Sequence, residues 1–471
     1  MSRRTRTMAY QGKPIHAEWS SSFAFILAAT GSAVGLGNIW KFPYIAGENG
    51  GGAFVLVYLA CIAVIGIPVM MAETMLGRRS RQSPINGLAS LADQENLSRR
   101  WSGLGWLGVA AGFLILSFYS VVAGWAVAYV FKMAAGTFTG MEGPAVDAVF
   151  GAMLAQWHVV LGWHTLFMVL CFLVVARGIR SGIEQAVRVL MPLLFLLLLL
   201  LVAYAYHLGD FGRGLSFMFT ADFSALSGEA MLVALGHAFF TLSLGMGAIM
   251  VYGSYLPRRA SIAGTTFLIA GADTLVALLS GLAIFPIVFA TGLEASAGPG
   301  LLFQTLPYVF GQMPAGAFFG TLFFLLVSFA ALTSGLSLLE PAVAYLVENR
   351  DWSRRKATAV LTFSIWALGL CSVFSLNLLA DFYPLGFIEP LEDKTLFDLF
   401  DGLSSNIMLP LGGLLIALFA GWRMHQASSR DELAMGRGYR VWRFIVRYVS
   451  PVLIALVLAY GLGLFQAIGL L

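Results

Sequence analysis

Gly31-Ser32-Ala33-Val34-Gly35-Leu36-Gly37-Asn38 interrupts an apolar stretch running from about residue 21 to 44, and its reading decides the fold. Three glycines within seven residues weaken a helix by up to about 1 kcal/mol each relative to Ala. A second interruption of the same kind, Thr241-Leu242-Ser243-Leu244-Gly245-Met246-Gly247, lies five apolar spans later. In one helix, small residues serve close packing as readily as they serve a break. Two such stretches, in the first and sixth spans, point instead to an inverted repeat of five plus five helices around a central site. Unwound backbone at membrane depth is tolerated only where it lines a cavity or is buried in protein. Freed carbonyls there take cations, and a half-helix N-terminus faces anions.

Composition sets the same frame. Of 471 residues, 59% are hydrophobic and only 11% charged, against about 25% charged in a soluble domain. A soluble enzyme is excluded. The apolar runs are long and continuous, as in Met191 to Tyr206, so they read as helices and not as alternating barrel strands. Cys61, Cys171 and Cys371 fall inside apolar runs with no paired spacing, giving neither a disulfide framework nor a metal site. A net charge of +4 is too small to suggest nucleic acid as a partner.

Eleven spans can be drawn, at roughly 21–44, 53–76, 103–133, 160–177, 185–207, 226–256, 261–291, 314–348, 354–375, 395–423 and 440–470. All of the 28 Lys and Arg residues except Lys41, Lys132, Arg213 and Lys394 then fall on one side. The positive-inside rule makes that side cytoplasmic. The expectation is a plasma-membrane protein in contact with the lipid bilayer, its N-terminus cytoplasmic and Leu471 outside. Residues 1–20 read as a cytoplasmic tail, 21–207 as repeat one, 226–423 as repeat two and 440–470 as an extra helix, all within a single domain. Oligomeric state is not readable.

Gly31-Ser-Ala-Val-Gly-Leu-Gly-Asn-Ile-Trp-Lys-Phe-Pro43 and Glu48-Asn-Gly-Gly-Gly-Ala-Phe54 closely resemble the first-helix signature of the neurotransmitter:sodium symporter family. Phe239-Phe-Thr-Leu-Ser-Leu-Gly245 in span six and Ala330-Ala-Leu-Thr333-Ser334 in span eight match further motifs in order. The resemblance runs from about Trp19 to the end of span ten and is closest to bacterial amino-acid members that lack a twelfth helix. It implies an all-α polytopic membrane protein with a LeuT-like 5+5 inverted repeat, helices 1 and 6 unwound and an eleventh helix added. The implied activity is sodium-coupled symport by alternating access, with two sodium ions and no organic cofactor. The implied partner is a small-molecule amino acid.

The resemblance also implies a site, residue by residue. Sodium site one matches the Ala33 carbonyl, the Asn38 amide, Thr241 and, in span seven, Asp273, where many members have Asn. Sodium site two matches Gly31, Val34 and Ala330 through carbonyls and Thr333 and Ser334 through hydroxyls. Sodium prefers such hard oxygen donors, although Ser and Thr within the membrane also bond back to their own helix. The substrate carboxylate would meet the first sodium, the Leu36 and Gly37 amides and Tyr119. The ammonium would meet carbonyls near Ala33, Phe240 and Thr241 together with Ser243. Ile115, Val122, Met246, Ser334 and Leu338 would complete a pocket without charge, with Met246 where LeuT has a Phe. Amine-carrying relatives place an Asp at the position of Gly35, so the substrate here brings its own carboxylate.

Lys41 and Asp401 match an outer gate, with Phe240 and Tyr119 as lids. Trp19, Tyr255 and Glu348 match an inner gate whose cation falls on His16 or is supplied by Lys13. Glu73 matches an acid that props the breaks. His237 stands where chloride-dependent members have Gln, and is a candidate for proton movement. A lone intramembrane carboxylate costs about 2.5–3.5 kcal/mol on insertion scales unless a cation offsets it. Asp273 therefore suggests a fixed negative charge in place of chloride. Apolar or aromatic L-amino acids are the expected substrates. The alternatives are a non-α amino acid or osmolyte such as taurine or betaine, or a gated channel on the same bundle. An enzyme would need a nucleophile–base or metal constellation at one depth, which the six histidines and the intramembrane acids do not offer.

Overall fold

A computed structural model describes residues 18–293 and 298–467. His16, Lys13, the rest of the tail to residue 17, and Leu471 lie outside the described residues. Nine continuous helices are long and apolar enough to cross a bilayer among those residues, and the bent pair Ser22–Ala33 and Gly37–Glu48 makes a tenth candidate. The sixth predicted span is divided into Gly228–Thr241 and Ala248–Ser254, each too short to cross alone. The expected count of eleven thus depends on reading that divided pair as one crossing.

Burial sorts the helices into layers. In its most apolar stretch, span eight (Gly316–Arg350) is 78% buried, whereas span eleven (Gly438–Gly461) is 22% buried. Span eight packs along span three (Arg99–Ala134), and span seven (Ile262–Ala290) along span five (Ile179–Leu208). Span one packs on spans five, seven and eight, and span six mainly on span two, with further contacts to spans eight, ten and eleven. Span eleven lies at the edge against span ten (Leu396–Arg423), tied to span two (Gly52–Ser80) by Trp442 Nε1–H donating to Pro68 O at 3.0 Å.

The breaks have local causes. Span one bends by 51°. Its first half stops where Val34 turns extended (ψ 106°). Asn38 Oδ1 then accepts from Gly35 N at 3.1 Å, a side chain replacing the lost helical carbonyl. In span six, Ser243, Gly245 and Gly247 all take positive φ (54°, 83° and 76°), which ends a helix for an L-residue chain. Ser243 tolerates it because its hydroxyl donates to Ser32 O at 2.8 Å, and Gly245 because it has no Cβ. A Cβ on Gly245 would stand 2.5 Å from the Leu409 carbonyl oxygen.

Candidate functional site

The two breaks meet at a small cavity. Span one lines it with Ala33, Gly35, Leu36 and Gly37, and span three with Ile115 and Tyr119. Span six contributes Phe240, Thr241, Ser243 and Met246, and span eight contributes Ser334 and Leu338. Of the expected pocket residues only Val122 is missing. It is buried, three residues beyond Tyr119 on the same helix, and outside the lining. Ser32, Ser337 and Gly35 belong to the wall but were not in the expected set. Their signal was present as Ser334 and Ser337 one helical turn apart and Ser32 beside Ala33. Ser32 Oγ donates to Ser337 Oγ at 2.8 Å, joining spans one and eight beneath the cavity.

No charged side chain lines this space. Its unmet polar group is the Tyr119 hydroxyl, which is buried with no hydrogen-bond partner among the described residues. A buried donor left unmatched costs about 1–3 kcal/mol, so Tyr119 is poised to donate to an incoming acceptor. Gly35 and Gly37 let that acceptor approach. A Cβ on Gly35 would come within 2.5 Å of Ser334 Oγ, and one on Gly37 within 3.2 Å of the Phe240 ring.

Beside the cavity, Asp273 is fully buried. It accepts from Asn38 Nδ2 at 2.8 Å and from Thr241 Oγ1 at 3.2 Å to both carboxylate oxygens. Three of the residues expected at the first ion site are thereby brought together from spans one, six and seven. No Lys, Arg or His pairs with Asp273 among the described residues. A carboxylate buried without a cation is strongly unfavourable. The Asp273 carboxylate and Thr241 hydroxyl oxygens are hard donors of the kind a monovalent cation takes, while Asn38 turns its amide nitrogen toward Asp273 and its oxygen toward Gly35 N.

The second expected cluster centres on Ser334. Its hydroxyl lies 3.1 Å from Ser32 O, 3.3 Å from Val34 O and 3.4 Å from Gly31 O. One hydroxyl proton satisfies one of these carbonyls, so the others still face electron density. That surplus of oxygen lone pairs fits a cation. Thr333 packs directly against Gly31, whose Cβ would stand 3.1 Å from Thr333 Cβ. Its hydroxyl donates within its own helix, to Ala330 O at 3.0 Å and Phe329 O at 3.1 Å. Its lone pairs are not consumed by that donation.

Glu73 behaves as a strut. Its Oε1 accepts from Gly245 N at 2.7 Å, while Oε2 has no partner among the described residues. His237 is buried with both ring nitrogens unpartnered among the described residues, stacked on Phe42 at 6.0 Å between ring centroids and tilted on Tyr58 at 5.5 Å.

The gates differ from expectation in their pairing. Lys41 does not pair with Asp401. Its ammonium lies 4.7 Å from the Phe240 ring centroid, and Asp401 accepts from Ser405 Oγ at 2.8 Å. A point-charge ammonium gains more from a nearby aromatic face than from a carboxylate it does not reach. On the arginine-rich side, Trp19 is 1% exposed. Its indole N–H donates to Tyr252 O at 3.0 Å, and its ring sits edge-on to Tyr252 and Tyr255. Tyr255 donates to Glu340 at 2.7 Å, and Glu340 is clasped by Arg354. Glu340 and Arg354, 14 residues apart, were missed because they lie outside the matched motifs and on two different helices, whose packing alone brings them together. Glu348 accepts from Ser83 N at 2.6 Å and Asn86 Nδ2 at 2.6 Å, holding the start of the helix Pro84–Gln94.

Two interrupted helices wrapped around one uncharged cavity, with hard-oxygen clusters beside it, are the architecture of a secondary transporter. The model of the sodium:neurotransmitter symporter family matches residues 16–140 and 149–470, and the chain belongs to that family. It is 38% identical over 459 residues to an uncharacterized sodium-dependent transporter, YhdH, of Bacillus subtilis (strain 168), covering 96% of this chain and 99% of the relative. The crystal structure of MhsT in complex with L-phenylalanine superposes with a TM-score of 0.85 at 42% identity, covering 94% of this chain and 99% of that one. A sodium- and chloride-dependent taurine transporter of Rattus norvegicus is 25% identical over 423 residues, covering 77% of this chain and 66% of its own length. The fold is LeuT-like, and the protein is a sodium-dependent membrane symporter, not an enzyme.

Proposed function

We propose that the protein imports apolar or aromatic L-amino acids by sodium-coupled alternating access, with two sodium ions and no need for chloride. The observation that carries the reading is Asp273, a buried carboxylate without a cationic partner among the described residues, converging with Asn38 and Thr241 beside an uncharged cavity. Sodium at Ala33, Asn38, Thr241 and Asp273 would offset that charge and present itself to the substrate carboxylate. Tyr119 and the Leu36 and Gly37 amides would complete the carboxylate's contacts. Sodium at Gly31, Val34, Ala330, Thr333 and Ser334 would hold spans one and eight together. Ile115, Met246 and Leu338 would take the side chain, and a flexible Met adapts to several shapes. The phenylalanine bound in the related structure supports an aromatic occupant.

The chain acts as one domain, 1–471, with its two repeats at 21–207 and 226–423 and eleven crossings counting span six once. Its N-terminus is cytoplasmic and it sits in the plasma membrane. Spans one, two, six and seven rock against the rest. A charge crossing 100 mV yields about 2.3 kcal/mol and a tenfold gradient about 1.4 kcal/mol. Two sodium ions therefore supply roughly 7 kcal/mol, enough for about a 10⁵-fold substrate gradient.

The test is uptake of a labelled amino-acid panel into proteoliposomes, with sodium or potassium outside and with chloride exchanged for gluconate. The expected result is sodium-driven accumulation above equilibrium that survives gluconate, and chloride dependence in Asp273→Asn. Loss of wild-type uptake in gluconate overturns the role of Asp273. Uptake that stops at equilibrium overturns coupling in favour of a channel. Accumulation of taurine or betaine in place of any α-amino acid overturns the substrate.

A further inference from the structure

Far from the cavity, the arginine-rich ends of spans ten and eleven hold five guanidinium groups, Arg423, Arg437, Arg440, Arg443 and Arg447. No acidic side chain pairs with any of them among the described residues. Elsewhere on this side Arg78 pairs with Glu432, Arg81 with Glu18, Arg99 with Asp93, Arg188 with Glu184 and Arg354 with Glu340. Other arginines, Arg258 and Arg259 among them, also lack an acidic partner among the described residues. The five differ in being gathered at one helix junction. Arg440, Arg443 and Arg447 follow i, i+3, i+7 spacing and share one face of span eleven.

Two of the five are held in place. The Arg447 guanidinium lies 4.3 Å from the Trp422 ring and 5.4 Å from the Tyr448 ring. Its own carbonyl accepts from Trp422 Nε1 at 2.7 Å, and its Nε is buried with no acceptor among the described residues. Arg443 donates to Tyr439 at 3.0 Å and to Ser429 at 3.3 Å, which leaves further N–H groups of its five for another acceptor. Both helices form π-helical turns where they meet, Phe419–Arg423 and Ile445–Val449. A Cβ on Gly421 would stand 3.0 Å from Arg447 Cα, so the two backbones touch there. Such turns commonly accompany functional sites.

The surroundings say what the acceptor is attached to. Val441, Phe444 and Val452 are about 60% exposed, and Trp422 and Tyr448 about half exposed. Side chains of this kind at the end of a membrane helix face acyl chains and the interfacial layer. A phosphate reaching these guanidiniums at that depth carries its hydrocarbon alongside.

We infer that Arg443, Arg447 and the neighbouring Arg440 and Arg423 form a binding site for the phosphodiester headgroup of an anionic phospholipid, seated between the ends of spans ten and eleven. Arg447, pre-oriented by two aromatic faces, and Arg443, by Tyr439 and Ser429, receive the phosphate oxygens. Phe444, Val441 and Val452 line the path of one acyl chain. Each arginine near an anionic membrane surface contributes about 1 kcal/mol, or about fivefold in binding.

The test is retention of phosphatidylglycerol against phosphatidylcholine by the purified full chain, read by native mass spectrometry after exchange from vesicles of equal parts of the two lipids. Wild type is expected to keep phosphatidylglycerol preferentially, Arg443→Gln to lose about fivefold, and Arg443→Gln with Arg447→Gln to lose about 25-fold. Arg447→Lys keeps the charge but loses the planar fork and is expected to fall between. The pair Arg258→Gln and Arg259→Gln removes equal charge elsewhere and is expected to leave retention intact. Equal losses from both double variants, or no loss in Arg443→Gln, overturn the site. Displacement of the lipid by millimolar inorganic phosphate overturns the lipid headgroup in favour of a free anion. If the double variant fails to fold, Arg443→Gln alone decides.

Discussion

At the scale of single residues, the oxygen clusters make sharp predictions. Ala at Gly35 forces Ser334 Oγ away, because the new Cβ would start 2.5 Å from it. Ser334 then leaves the Gly31, Ser32 and Val34 carbonyls it now faces. Gly35→Ala is expected to weaken sodium binding about tenfold, roughly 1.4 kcal/mol, as read by labelled-sodium binding to purified protein. Unchanged sodium affinity would show that the Ser334 carbonyl cluster does not hold the ion. A second residue-scale prediction concerns Glu95 on the arginine-rich side. Burial pushes its carboxyl up, but the His425 backbone N–H at 2.8 Å, Ser428 and the His425 ring hold it below the usual 4.5. A lowered carboxyl stabilises the fold at pH values above the unfolded value, and that stabilisation is lost as pH falls through the folded value. Glu95→Gln is expected to lower the melting temperature at pH 7, with the deficit shrinking below about pH 4.5. A deficit that stays constant down to pH 3 would contradict the assignment.

At the scale of elements, the breaks were legible and their wiring was not. The glycine clusters at 31–37 and 245–247 announce themselves because helix propensity is local. Asn38 capping Gly35, or Glu73 holding the Gly245 amide, joins residues whose proximity only the packed bundle defines. The cavity wall was nearly complete from the resemblance: eleven of its fourteen lining residues, on four short segments, were matched to family motifs, whereas helical spacing alone would have read them as ordinary core. Ser32 and Ser337 escaped because small hydroxyls read as packing residues until their partners are seen. Gly245→Ala tests the break itself. Positive φ and the Leu409 carbonyl both oppose a Cβ there, and such strain costs about 1–3 kcal/mol. The variant is expected to melt lower and to lose uptake, whereas Gly271→Ala on span seven, where a Cβ would meet nothing within 4 Å, is expected to change neither.

At the scale of the whole molecule, the cluster around Trp19 and Tyr255 on the arginine-rich side is the proposed inner gate, and its strength would set the conformational balance. A buried Trp removes 150–250 Å² from water, worth about 4–6 kcal/mol at 25 cal/mol per Å². Trp19 is therefore the proposed apolar seal on that side, with Tyr255 to Glu340 as its polar counterpart. Tyr255→Phe, keeping the ring and losing the bond, is expected to shift molecules toward an open path on that side. Labelling of a cysteine introduced at Ser337, with the native cysteines replaced, should then quicken several-fold from that side and slow from the other. No change in either rate would mean the seal does not control access. Lys41 and Asp401 lie in different spans and stand apart in this structure; sequence motifs carry types of residue but not the reach between them.

The hydroxyl of Ser243 donates to the Ser32 carbonyl, and Ser32 is bonded in turn to Ser337. One short chain of bonds thus runs through both broken helices and the wall of the bundle. Whatever straightens or tightens one break is felt at the other, so ion and solute report on a single mechanical variable. Thermodynamic reciprocity then requires that sodium raise the affinity for solute by the same factor that solute raises the affinity for sodium. Shortening Ser243 to Ala should diminish both factors together, leaving two ligands that bind the same protein as strangers.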